Sequence, residues 1–216
     1  MTGRRRVGLI RVLSTTDMKL LGLHGEIIME RFPGLDVCSV CIPDQPEGVY
    51  DEETEMLAVP KVVLLAQAME LDGMDAVIVS CFGDPGVTQA AALLNIPVIG
   101  AGRASASIAR SLDVPTGVLG LIPEIPEGAK IVLGERLLSN IVPEGVVSTL
   151  DLMTPKGKSS VLEAGMKLKK AGAKALLLGC TGMSTIGAAQ LLRETLKMPV
   201  VDPVRSAGAV VRALME

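Results

Sequence analysis

A chain of 216 residues with 49% hydrophobic and 21% charged residues can bury one large core or two small ones, which excludes a disordered segment. Its net charge is −3 and its basic residues are dispersed, so the basic stripe that nucleic acid demands is missing. No stretch reaches the roughly eighteen apolar residues of a membrane span, and Arg11 interrupts the first apolar run too early for a secretory signal. A cytoplasmic protein with no nucleic-acid or membrane partner is expected. Its four cysteines then read as free thiols rather than a disulfide framework.

In chain order, residues 7–13 predict a first strand, and Ser14, Thr15 and Thr16 supply hydroxyls to cap a helix over 17–31. Pro33 and Gly34 stop that helix, and residues 35–42 read as a second strand. A polar loop, PDQPEGVYDEETE, follows, with Pro60 expected in the first turn of a helix running to about residue 71. The run AVIVSCFGDPG then carries an apolar strand into Cys81 and a glycine-rich turn. A helix through 89–94 and a short strand at 97–99 close this half.

The second half repeats the order. Residues 116–121 predict a strand, 127–140 a helix, and 145–150 a strand. Ser160 and Glu163 have the spacing of a capping box for a helix to about residue 171. The run ALLLGCTGM ends a strand in Cys180, a helix covers 188–197, and 199–201 match 97–99. Residues 204–215 predict a closing helix.

Strands alternating with helices mean parallel sheets with helices on both faces, here built twice. The predicted fold is α/β, with two pseudo-symmetric lobes and a shared site in the cleft between them. Residues 1–100 are expected to form the first lobe and 101–202 the second.

Cys81 and Cys180 carry the functional signal. Each stands at the carboxyl end of a strand, where ligands bind in such sheets, and each is expected to precede a helix whose N-terminal partial charge favours a thiolate. Two buried cysteines acting as small hydrophobes are the bland alternative. Their matched positions and glycine-rich turns favour chemistry.

Other candidates are weaker. Cys38-Ser39-Val40-Cys41 lies inside a predicted strand, where residues three apart face opposite sides, so it reads as structural rather than as a redox pair or half a metal site. Gly100-Ala101-Gly102 lacks the third glycine and the later acidic residue of a dinucleotide loop. His24 is the only histidine and reads as a packed residue at the core border. With one histidine there is little basis for a histidine-rich metal site or a Ser-His-Asp triad, so no metal is expected.

The two cysteine motifs, Cys81-Phe82-Gly83-Asp84-Pro85-Gly86 and Gly179-Cys180-Thr181-Gly182-Met183, resemble those of the aspartate/glutamate/hydantoin racemase superfamily, and most closely its hydantoin racemase branch. The segment PEGVYDEETEMLAVP is similar to that branch's acidic loop and following helix. The resemblance covers nearly the whole chain. It implies a cofactor-independent enzyme whose two cysteines act from opposite faces of a stereocentre, and a last helix that returns residues 203–216 to the first lobe. The chain departs from the pattern in three places. Leu13-Ser14-Thr15 replaces the usual Asn-Pro-Asn after the first strand. Phe82-Gly83 replaces the Asn-Thr of glutamate racemases. Ile122-Pro123-Glu124 replaces a threonine-rich turn.

Inverting a carbon next to a carbonyl needs a base on one face and an acid on the other, and matching thiols can exchange those roles. Backbone N–H groups at Phe82, Gly83, Thr181 and Gly182 are candidate stabilisers of the developing oxyanion. Ser14, Thr15, Phe82, Gly83, Asp84, Thr181 and Gly182 are the expected substrate-binding residues. The expected substrate is a small molecule, a 5-substituted hydantoin or an amino acid such as aspartate or glutamate, and the protein is expected to be a homo-oligomer. Two other readings stay open: a decarboxylase or cis–trans isomerase using one cysteine, and a non-catalytic small-ligand binder.

Overall fold

A computed structural model describes residues 4–215. Residues 1–3, which begin the charged N-terminal stretch, and residue 216 lie outside the described residues. The chain divides into two compact units, residues 1–101 with 204–216 and residues 102–203.

The first unit runs β1 (Arg5–Arg11), α1 (Met18–Arg31), β2 (Leu35–Cys41), α2 (Glu52–Leu71), β3 (Ala76–Ser80), α3 (Val87–Leu93) and β4 (Val98–Gly100). Its parallel strands lie in the order β2-β1-β3-β4. Every residue of β3 is buried, as a central parallel strand covered on both faces requires. Ile10, Val62, Ala66, Val77 and Val79 belong to the core on one side of this sheet. Arg11 ends β1 almost fully buried, and its guanidinium donates to the carbonyls of Leu20 and Leu21 in α1 at 2.7 and 3.4 Å.

The second unit runs α4 (Ala101–Ser111), β5 (Thr116–Gly120), α5 (Glu127–Leu133), β6 (Leu137–Ile141), α6 (Pro155–Lys170), β7 (Ala175–Gly179), α7 (Thr181–Thr185), α8 (Ala188–Leu196) and β8 (Val200–Val201). Its sheet has the order β6-β5-β7-β8, the same arrangement as the first. Among the described residues the architecture is therefore α/β, with two four-stranded parallel sheets and helices. The last helix, α9 (Pro203–Leu214), groups from Val204 onward with the first unit. There Gly208 is close enough to Ile28 of α1 that a side chain would press on it.

Five features differ from the sequence expectation. The cap of α1 is Asp17, whose Oδ1 accepts from the amides of Lys19 and Leu20 at 2.9 and 3.2 Å, rather than the hydroxyls at 14–16. A carboxylate is the stronger acceptor, and it complements the helix dipole. The helix placed after Pro60 begins at Glu52 instead, and Pro60 lies exposed within α2. A reciprocal capping box sets that start: Asp51 Oδ1 accepts from the Thr54 amide at 2.8 Å, and Thr54 Oγ1 accepts from the Asp51 amide at 3.1 Å. Burial of Ala58, Val62, Ala66 and Met69 along one face outweighs the proline penalty.

The helix expected over 127–140 stops at Leu133, because Gly134 turns to a φ of 52°. The strand then forms at β6, and 145–150 is loop rather than strand. Asp151 Oδ2 fixes that loop by accepting from the amides of Val147 and Ser148 at 3.0 and 2.8 Å and from the Ser148 hydroxyl at 3.1 Å. Finally, α6 starts at Pro155 under a Thr154 cap, so Ser160 is a buried interior residue and not the capping residue.

Two tests follow from these turns. Gly86 has a φ of 73°, and a Cβ there would lie 3.0 Å from the Val59 carbonyl and 3.2 Å from the Val62 side chain. Gly86→Ala should cost roughly 1–3 kcal/mol of stability in urea unfolding; an unchanged midpoint would contradict the strained turn. The N–H groups of Val147 and Ser148 hold the Asp151 carboxyl below the usual carboxylate range. Because the folded value is depressed, the loop contacts persist above the ordinary aspartate range and are lost as pH falls through the lowered value. The Val147 and Ser148 amide resonances should titrate together below that ordinary range, and Asp151→Asn should abolish the titration.

Candidate active site

The first unit presents Cys81 directly after β3. Cys81 is 9% exposed and follows a strand whose five residues are all buried. The chain turns sharply behind it. The Asp84 amide donates to the Cys81 carbonyl at 3.3 Å, the Val87 amide donates to the Asp84 carbonyl at 3.2 Å, and Asp84 itself adopts a φ of 55°. Phe82 is buried, while Gly83 and Asp84 are half-buried. The Asp84 carboxylate packs on the Cα of Gly100, a place that any side chain at 100 would fill. Helix α3 starts only at Val87, so Cys81 does not stand at a helix N-terminus as the sequence suggested.

Ser80, the residue before Cys81, is buried and lies 2.8 Å from Nδ1 of His24. The single histidine is thus a fully buried residue of α1 that ties the end of β3 to that helix, deeper than the core border expected for it.

Ser14 and Thr15 lie at the carboxyl ends of β1 and β2, where they line a cavity of about 580 Å³ with Thr16, Cys41, Ile42 and Pro43. The Ser14 hydroxyl donates to the Ile42 carbonyl at 2.6 Å and accepts from the Gln45 amide at 2.7 Å. Thr15 Oγ1 accepts from the Asp17 amide at 3.1 Å. Cys41 faces Thr15, its thiol 3.7 Å from the Thr15 carbonyl, and Cys38 is exposed on the same strand.

The second unit presents Cys180 directly after β7, 7% exposed. Here the helix follows at once. Cys180 is the N-cap of α7, and its sulfur accepts from the Gly182 amide at 3.3 Å. An N–H aimed at sulfur favours the thiolate form. Gly182 therefore directs its N–H at the thiol. Gly182 also lets Thr149 approach, since a side chain at 182 would collide with the Thr149 methyl group. The Thr149 hydroxyl lies 3.9 Å from Cys180 Sγ.

Thr149 was not foreseen from the sequence, because residues 145–150 read as a strand. The signal that finds it is Asp151, whose loop hydrogen bonds carry Thr149 to the thiol. A second unforeseen pair is Ser184 and Asp202, both buried and 2.9 Å apart, just beyond α7's first turn and β8. A third is Glu55, placed in a loop by the sequence reading but found in the first turn of α2, near the Cys81 turn. Among the described residues no group of three or more His, Cys, Asp or Glu side chains is arranged to hold a metal ion. No helix among them is long and apolar enough to cross a membrane.

Two parallel sheets of equal strand order are an arrangement that other proteins share. Residues 24–211 match the family model described as Asp/Glu/Hydantoin racemase. A hydantoin racemase of Rhizobium meliloti is 26% identical, over 97% of this chain and 88% of that protein. An allantoin racemase from Klebsiella pneumoniae superimposes with a TM-score of 0.83 at 26% identity, over 97% of this chain and 87% of that one. A structure of arylmalonate decarboxylase shares the fold, with a TM-score of 0.64 at 16% identity over 98% and 94% of the two chains. The chain belongs to the Asp/Glu/hydantoin racemase family and is an isomerase of the racemase type.

Proposed function

We propose that this protein is a cofactor-independent racemase of 5-substituted hydantoins or closely related ring ureides, with Cys81 and Cys180 as its acid–base pair. The observation that carries the reading is the matched placement of two buried thiols. Each follows the third strand of its unit, β3 or β7, beside the same neighbouring strands. Hydantoin and allantoin racemases among the similar proteins support the ring-ureide substrate over a free dicarboxylate. So does the sequence of both cysteine turns, which has no arginine or lysine to hold a second carboxylate.

The steps balance with one proton and no external reagent. The thiolate of one cysteine takes the hydrogen of the stereocentre, and the C–H electron pair becomes an enolate with its charge on the adjacent carbonyl oxygen. The thiol of the other cysteine delivers its proton to the opposite face. The product enantiomer leaves with the two sulfurs' protonation states exchanged, so the reverse reaction starts from the swapped pair. The Gly182 N–H on Cys180 stabilises a thiolate there, which makes Cys180 the base in one direction and a well-supported leaving state in the other. The backbone amides of the Phe82–Gly83 turn are the enolate oxygen's donors on the first unit. Asp84, Thr181, Ser14 and Thr15 hold the ring's polar edges. The working enzyme is a homo-oligomer in the cytoplasm whose only required partner is the small-molecule substrate.

The reading is tested by following the optical rotation of enantiopure 5-substituted hydantoins. Cys81→Ala and Cys180→Ala should each lower the racemisation rate by about 10²-fold or more. In D₂O, any residual exchange should affect one enantiomer, and the two variants should differ in which one. A variant racemising near the wild-type rate would show that its cysteine is structural and leave a one-cysteine isomerase or decarboxylase as the account. Because the thiols interact through the substrate, the wild-type pH–rate profile should report macroscopic values of the pair rather than of either thiol.

A further inference from the structure

Glu55 projects from the first turn of α2 and is half-buried. Among the described residues no ion pair or hydrogen bond reaches its carboxylate. Burial pushes its carboxyl above the ordinary range, and the neighbouring charge of Glu52 adds to this. A half-buried carboxylate without a donor is costly to keep unless something else supplies one.

What lies in front of it is the Cys81 turn. A side-chain atom placed on Gly83 would sit 3.8 Å from Cys81 Sγ and 4.0 Å from Glu55 Oε2. The thiol and the carboxylate therefore flank the same bare glycine, less than 8 Å apart, so a small ring packed over Gly83 can reach both. The thiol's work is on a C–H. The carboxylate's work is to accept a hydrogen bond. In a hydantoin the stereocentre, C5, is bonded directly to N1–H, so a ring that presents its C5 hydrogen to Cys81 carries an N–H donor one bond away.

We propose that Glu55 is a specificity-determining residue that accepts a hydrogen bond from an N–H attached to the substrate's stereocentre. Substrates with oxygen or carbon at that position leave the carboxylate unpaired and are rejected, as buried polar groups reject analogues that fail to satisfy them. This rests on the reading that Cys81 acts on that stereocentre. The alternative is a solvated acidic residue that merely complements the start of α2.

The test uses ligands that cannot turn over. 5,5-Dimethylhydantoin has no hydrogen at C5, and 1,5,5-trimethylhydantoin differs from it only by a methyl group on N1. Calorimetric titration of the wild type should show a preference for the N1–H compound of about tenfold or more. Glu55→Ala should bind the two compounds equally. Glu55→Gln, which keeps a carbonyl acceptor, should retain part of the preference, and circular dichroism checks that both variants are folded. A wild type with no preference, or a Glu55→Ala variant that keeps it, would overturn the assignment. Cys81→Ala separates the two claims, since it should lose racemisation and keep the N–H preference. A Cys81→Ala variant that still racemises sinks the acid–base reading while the preference for N1–H leaves Glu55 in its role.

Discussion

A central parallel strand has neighbours on both edges and helices on both faces, and this constraint decides where chemistry can happen here. Within β3 every side chain is buried, and within β7 all but the last residue are. A reactive group inside either strand would meet no substrate. The first position free of the ladder is the residue after it, and in both units that residue is cysteine. The strand fixes the thiol's height and direction, and the turn behind it decides what else can come near.

The two turns solve that second problem differently. After Cys180 the chain enters α7 directly, so the sulfur takes the helix's cap position and receives the Gly182 N–H. After Cys81 the chain makes a wider turn through Asp84 and Gly86 before α3 begins. That turn leaves Cys81 without a helix start of its own but opens the space over Gly83 that Glu55 borders. The two thiols thus occupy equivalent places in equivalent sheets with unlike surroundings. The proposed proton exchange on an asymmetric substrate would call for such a combination of matched reactive atoms and different surroundings.

Much of this was legible in the sequence, because it depends on local signals. Continuous apolar runs such as 76–79 and 175–178 name the buried strands β3 and β7, each followed by a cysteine. The repeated order gave the two α/β units for the same reason. The failures were of other kinds. Pro60 suggested a helix start, but the Asp51–Thr54 capping box and the buried face of α2 outweighed it. Ser160 and Glu163 had the right spacing for a cap, yet Thr154 with Pro155 had already begun α6. Thr149 and Glu55 were missed because Thr149 reaches Cys180 from 31 residues away and Glu55 reaches the Gly83 turn from another helix. Their placement follows from the Asp151 loop and from the true start of α2, and single-sequence spacing carries neither. His24 was read correctly as packed, but its bond to Ser80 depends on how α1 lies on the sheet.

The central claim is that two thiols, rather than one, handle the stereocentre's proton, and the isotope content of the first turnovers tests it most directly. One pure enantiomer of a protiated 5-substituted hydantoin is given to the wild-type enzyme in D₂O, and the reaction is stopped early for mass analysis of both enantiomers. The account predicts that the newly formed enantiomer carries solvent deuterium while the unreacted substrate remains protiated. Product that retains the substrate's own hydrogen would mean that a single group removes and returns the proton, and would contradict the two-thiol mechanism.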